Sequence, residues 1–320
     1  MADLPHTVTD LVPAGLVERL RGQVRDPDGI RGEDWLLTVP GLVRDLTDEW
    51  DLTLDGPAAH GDDAVLLPVR GREGPAVLKL AWPHAQAREE HRALGLWAGN
   101  GAVRMLAAHP GRSALLLERL EPRDLGSPPV SVLESCEEIG HLARTLDRPA
   151  PPWLKRRASD RLRTLAADID DIRGGELAPA LPRRLLERGR SLSLDLATDT
   201  EIDSRLVHGA LHQHHVLRRP DPSAWVAIAP HPIAADPTWV VAPALWHRWH
   251  AVAAAHDARI HLNLRLEVLC EAAGLDPDRA RVVSELRVLG NAVDDVRRRR
   301  THLARALTRH VTLVKALQPA

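Results

Sequence analysis

Along the chain, the spacing of hydrophobic positions changes character past residue 120. Over 35–54 the apolar positions Leu36, Leu37, Leu42, Val43, Leu46 and Trp50 recur at helical spacing, and Asp34 stands where it would cap the start. Two short apolar runs follow at 64–69 and 75–80, with Gly71 and Gly74 between them; this predicts a pair of strands joined by a turn. Residues 84–98 predict a helix stopped by Gly99-Asn100-Gly101, and 104–107 and 114–118 predict two more strands. Ahead of all this, residues 1 to about 30 are polar and predict one loose helix.

From Ser131 onward the period is mostly helical, over 131–147, 156–173, 178–197, 243–257, 260–273, 278–298 and 300–317. One non-helical island, 205–241, interrupts it with the apolar runs Val216-Leu217 and Trp225-Val226-Ala227-Ile228-Ala229. The expected class is α+β with a protein-kinase-like two-lobe fold: a small antiparallel-sheet lobe over 1–120, then a mainly helical lobe over 121–320 that carries the 205–241 region.

Composition narrows the function classes. The 320 residues have a formal net charge of −2 and are 44% hydrophobic, so neither disorder nor a basic field for nucleic acid or an anionic membrane is expected. No eighteen-residue apolar run suggests a membrane span, and the opening Met1-Ala2-Asp3-Leu4-Pro5 does not read as a signal peptide. Cys136 and Cys270 are too few for a disulfide framework, and a reduced cytoplasm is the expected location. Phe and Tyr are absent while Trp occurs nine times, and only Lys79, Lys155 and Lys315 are lysines among 42 basic residues. GC-rich codon usage explains the arginine excess and part of the missing aromatics. The Arg297–Arg300 run is read as a solvated helix end rather than a nucleic-acid patch.

Several motifs, in order, carry a resemblance. They are Asp34-Trp35-Leu36, Pro40-Gly41-Leu42, Trp50-Asp51-Leu52-Thr53, Leu67-Pro68-Val69, Val77-Leu78-Lys79-Leu80, Trp97-Ala98-Gly99-Asn100-Gly101-Ala102-Val103-Arg104 and Leu115-Leu116-Leu117-Glu118-Arg119-Leu120. With Val207-His208-Gly209 and Ala227-Ile228-Ala229-Pro230 further on, the chain resembles the streptomycin and hydroxyurea phosphotransferases, a kinase-like branch of the aminoglycoside phosphotransferases. The resemblance implies that Lys79 and Glu90 form the ion pair that holds nucleotide phosphates, with ATP as cosubstrate. The segment 58–63 would be the phosphate-covering loop, but one glycine and two acidic residues make it a poor cradle.

That resemblance also implies a catalytic loop reading His-Gly-Asp-Leu-His and closing on Asn, with a second metal-binding Asp after Ala-Ile. Here the loop is His208-Gly209-Ala210-Leu211-His212-Gln213-His214-His215, and the second position is Ala229. The expected base is therefore Ala210, and the expected Asn is His215. Loss of a general base costs about two to four decades in rate, and loss of an electrostatic stabiliser about two to three more. Ala210 and Ala229 offer no oxygen to Mg²⁺, and imidazole is a poor ligand for it. Ordinary kinase activity is not expected.

The replacements leave imidazoles. His208, His212, His214 and His215 lie within one loop, and His231 follows two residues after Ala229. Imidazole suits zinc, copper and iron, so one expectation is a transition-metal site with His212, His215 and His231 as ligands and catalytic centre, and His214 or His208 as a fourth. Asp236 would shift the choice toward iron. The competing reading is that these are structural imidazoles, two of which (His208 and His212) belong to the ordinary family pattern. His247 and His250, and His256 and His261, are expected to be structural, and the adjacent Asp294 and Asp295 are expected to face water rather than bind a cationic substrate.

Three functions remain open at this stage: a repurposed metal-dependent enzyme acting on a small metabolite, a pseudokinase that binds nucleotide or a small molecule without turnover, and a residual phosphotransferase using His212 or His215 as base. The partner expected in each case is a small molecule, with no nucleic acid and no membrane.

Overall fold

A computed structural model describes residues 11–24, 29–85, 87–177, 180–220, 224–298 and 303–318. The chain divides into two compact units, one formed by 1–122 and 219–226, the other by 123–218 and 227–320.

In the first unit, α1 (Ala14–Leu20) and α2 (Gly32–Glu49) precede the short strands β1 (Thr53–Leu54) and β2 (Ala59–His60). The hairpin β3 (Ala64–Gly71) and β4 (Gly74–Ala81), helix α3 (Glu90–Trp97), β5 (Met105–His109) and β6 (Ala114–Glu118) follow. The strands pair in the order β1–β3–β4–β6–β5, with β2 also on β3. Every pairing is antiparallel. The period-two pattern decides which residues go where. Val65, Leu67, Val69, Ala76, Leu78 and Leu80 share one face and close a core against Leu16, Leu20, Trp35, Val39, Val43 and Leu46 of α1 and α2. Lys79, between Leu78 and Leu80 and opposite Leu115 of β6, therefore lies on the other face.

The sequence expectations differ from these elements mainly at helix starts. The helix expected over 84–98 begins at Glu90, because 87–89 take up turns first. Within the span expected as one helix at 1–30, the described helix is Ala14–Leu20, and residues 1–10 and 25–28 lie outside the described residues. Within the 58–63 segment Ala59–His60 form β2, which pairs with β3 through Ala59↔Leu66 and His60↔Val65.

β7 (Glu121–Asp124) comes next. The second unit is mainly helical, with α4 (Val132–Thr145), β8 (Arg148–Pro149), α5 (Ala158–Gly174), α6 (Arg183–Leu196) and β9 (Arg205–Val207). After the loop come β10 (Val216–Arg219) and β11 (Ala224–Ala227), which span the 219–226 segment belonging to the first unit, and then β12 (Ile233–Ala235). Helices α7 (Val241–Trp246), α8 (Trp249–Ala253), α9 (Ala258–Ala273), α10 (Pro277–Arg297) and α11 (Leu303–Leu317) complete it. Ser131 caps α4 with a reciprocal Glu134 bond, and Asp257 and Asp276 cap α9 and α10. α9 packs on α4, where a Cβ at Gly140 would lie 2.6 Å from both Ala272 Cβ and Leu269 O. The single helix expected over 243–257 is two, α7 and α8, because Arg248 between them adopts φ 53°. The end of the Arg297–Arg300 run lies outside the described residues.

Two short three-stranded sheets have the orders β12–β9–β8 and β11–β10–β7. β9 and β12 pair antiparallel, with Val207 opposite Ile233, which brings His208 beside the segment carrying His231.

Candidate functional site

The loop 208–215 is held by its own backbone. His231 N donates to His208 O at 2.8 Å, His215 N to His212 O at 2.8 Å, and Ile228 N to His215 O at 2.9 Å. Gly209 has φ +74°, and a Cβ there would run into the carbonyl oxygen of His231, so only glycine fits between the two segments. Arg287 of α10 braces the loop from below, donating to Gly209 O at 2.9 Å and Trp239 O at 2.5 Å. Its guanidinium lies about 5 Å from the ring centroids of Trp239 and Trp246. Burial, then the positive charges of Arg161 and Arg156, lower its pKa to about 9, so it remains a cation at neutral pH.

The imidazoles form a stack rather than a ligand set. His212 lies face to face with His247, ring centroids 3.5 Å apart and planes at 11°, and with His215 at 3.9 Å and 28°. His247 was expected to be structural on a helix with His250; it instead lies between α7 and α8 with its ring on the loop. Its 32-residue separation from His215 leaves no sequence signal for this contact.

Hydrogen bonds fix the roles of several rings. His208 donates from Nε2 to Ile228 O at 3.0 Å and accepts from Ala210 N–H on Nδ1, a neutral buried imidazole. His215 donates from Nδ1 to Ala210 O at 2.8 Å. His214, about half exposed, donates from Nδ1 to Asp124 Oδ2 at 2.8 Å, and Ser127 Oγ donates to the other oxygen of Asp124. Burial would raise the Asp124 pKa, but the His214 and Ser127 bonds outweigh it and hold the carboxylate low. Burial, then neighbouring His215, pushes His208 and His212 well below the ordinary histidine value; burial, then His214, lowers His247 to about 3.

The expected metal ligands are His212, His215 and His231, with His214 or His208 as a fourth. Among the described residues no three His, Cys, Asp or Glu side chains are arranged to hold a metal ion. Imidazole lone pairs lie in the ring plane, so His212, stacked on two rings, presents π-faces to its neighbours rather than converging nitrogens. His215 and His231 stand 6.4 Å apart between centroids at 76°. Asp236 is already used: it accepts from Thr238 N and Oγ1 and from Arg279 Nε at 2.5 Å. Ala210 and Ala229 carry no side-chain oxygen that could ligate Mg²⁺.

In the first unit, the expected pair is intact. Lys79 Nζ donates to both carboxylate oxygens of Glu90 at 2.7 Å, and both side chains are buried. β4 places Lys79 and the first turn of α3 places Glu90.

Similarity to known proteins agrees with this architecture. The family model for aminoglycoside/hydroxyurea antibiotic resistance kinases matches residues 49–292. The chain belongs to that family. It is 35% identical to a streptomycin 6-kinase of Streptomyces glaucescens over 84% of this chain and 86% of the relative. It is 34% identical to a hydroxyurea phosphotransferase of Kitasatospora aureofaciens over 89% of this chain and 80% of the relative. The fold is similar to that of choline kinase LicA from Streptococcus pneumoniae, with TM-score 0.55, 13% identity, 87% of this chain and 99% of that one covered. The kinase-like fold expected from the motifs is thus the fold of this family member.

Asp295 accepts from His310 Nε2 at 3.1 Å, and Asp294 accepts from Arg298 at 2.7 Å. Cys136 and Cys270 are buried free thiols, and burial raises both, Cys270 to about 12, so neither is a nucleophile at neutral pH. Among the described residues no helix is long and apolar enough to cross a membrane.

Proposed function

We propose that this family member binds nucleotide, and a small polar molecule of the kind its relatives phosphorylate, without Mg²⁺-dependent phosphoryl transfer. One observation carries the reading: the buried Lys79–Glu90 pair is kept, with both oxygens engaged, while the loop and the 227–230 segment that should supply base and metal ligands offer the methyl groups of Ala210 and Ala229 and a stacked imidazole. A cation held by a buried carboxylate is a preorganised partner for phosphate oxygens. Phosphoryl transfer depends on metal ions to neutralise developing charge, and neither Ala210 nor Ala229 can ligate one. Binding without turnover fits a regulator or a protein that sequesters its ligand. Calorimetric titration with ATP tests it: saturable binding that is lost in Lys79→Ala supports the reading, and no binding to the wild-type chain refutes it.

A further inference from the structure

Within the first unit, beside the ion pair, lies a cavity of about 460 Å³, the size of ordinary small-molecule sites. Its wall includes Ile30, Pro83, Leu115, Arg88, His91 and Glu90. Glu90 adds no net charge, because Lys79 engages both its oxygens. Burial, then the Arg92 charge, lowers the His91 pKa, and a bond to the Arg88 backbone raises it only in part, so that ring is neutral at pH 7. Arg88 is exposed and lines the cavity, and among the described residues no carboxylate pairs with its guanidinium. Among the described residues the wall therefore combines apolar surface with one cation that no carboxylate pairs. On its other side, that wall is the carboxylate that positions Lys79.

We propose that this cavity is a regulatory site for a small carboxylic acid with an apolar body. The carboxylate pairs with Arg88, the body packs on Ile30, Pro83 and Leu115, and occupancy fixes the start of α3 and hence Glu90 on Lys79. Ligand and nucleotide then favour each other's binding, and by linkage the factor is the same in both directions.

The probe is 2-naphthoate, with neutral 2-naphthamide as control, titrated into the full chain and followed by calorimetry. The expected result is saturable naphthoate binding that weakens roughly tenfold in the exposed-site variant Arg88→Ala and with the amide, the loss of one charge-assisted contact. Ala87→Trp, which fills the cavity from a half-buried position, abolishes it. Naphthoate also raises ATP affinity several-fold, an effect that rests on nucleotide binding at Lys79. No saturable binding up to the solubility limit, or binding indifferent to both substitutions, overturns the site. Naphthoate binding without any change in ATP affinity overturns the regulatory role. Failure of ATP to bind in the absence of naphthoate counts against the nucleotide reading alone, since Arg88-dependent naphthoate binding is measured without ATP.

Discussion

His212 and His247 stack ring on ring, centroids 3.5 Å apart and planes at 11°, with His212 also against His215. Such a sandwich is stable only while the rings are neutral, because protonation places like charges face to face in a buried setting.

Acid stability follows from that stack. His247 has its native pKa lowered from the ordinary 6.5 to about 3, so between these values the unfolded state binds more protons than the native one. Stability is complete above about pH 6.5 and falls as pH drops toward 3. For one such histidine the loss by pH 5 is about 2 kcal/mol. Urea melts at pH 7 and pH 5 measure it, and His247→Leu should make the difference between the two smaller. An unchanged difference in that variant would separate the stack from acid sensitivity.

The Lys79–Glu90 pair gives a second expectation. Glu90→Ala leaves a buried ammonium uncompensated and should cost on the order of 3–5 kcal/mol. A Lys79→Met, Glu90→Leu double variant should recover much of that loss, yet lose ATP binding. Denaturant melts of the three variants check both halves.

Gly209 lies tightly against the His231 carbonyl of the facing segment. Gly209→Ala should lower stability by about 2–4 kcal/mol, since the new Cβ meets the His231 carbonyl in a left-handed conformation. A thermal melt within experimental error of wild type would mean that the clasp is looser than described.

If turnover is absent for want of oxygen ligands, restoring them should bring it back. Ala210→Asp, His215→Asn and Ala229→Asp together should produce Mg²⁺-dependent ADP formation, on the order of 10²-fold or more above the wild-type background. Ala229 has φ 50°, a conformation that Asp tolerates better than alanine, so this position accepts the change. A triple variant that folds and binds ATP but stays silent would show that more than these three side chains has been lost.

The first-unit hairpin was legible in the sequence, because two short apolar runs over 64–69 and 75–80 with Gly71 and Gly74 between them read as paired strands, and the pairing sets Leu67 opposite Leu78. The Lys79–Glu90 pair was legible only through the family resemblance, since no spacing links a strand lysine to a helix glutamate eleven residues on. Helix starts were less so: Pro182 sets the start of α6 five residues after the spacing suggested, and Arg248 splits a continuous apolar pattern by one backbone dihedral. At the loop, sequence located the imidazoles but not their use. Clustered histidines suggest ligands when read along the chain; the stack depends on His247 arriving from another element, and on Nδ1 of His215 being spent on Ala210 O. Neither fact has a spacing that announces it. Arg287 beneath Gly209 was missed likewise, as one arginine among many on a helix.

The central claim, nucleotide bound but not consumed, is tested most directly by phosphorus NMR of the wild-type chain with ATP and Mg²⁺, alone and with streptomycin or hydroxyurea added. The account predicts protein-dependent shifts or broadening of the ATP resonances that vanish in Lys79→Ala, and no growth of ADP signals with either compound. ADP appearing in proportion to wild-type enzyme and to added streptomycin or hydroxyurea would contradict it, and would make the chain a working phosphotransferase.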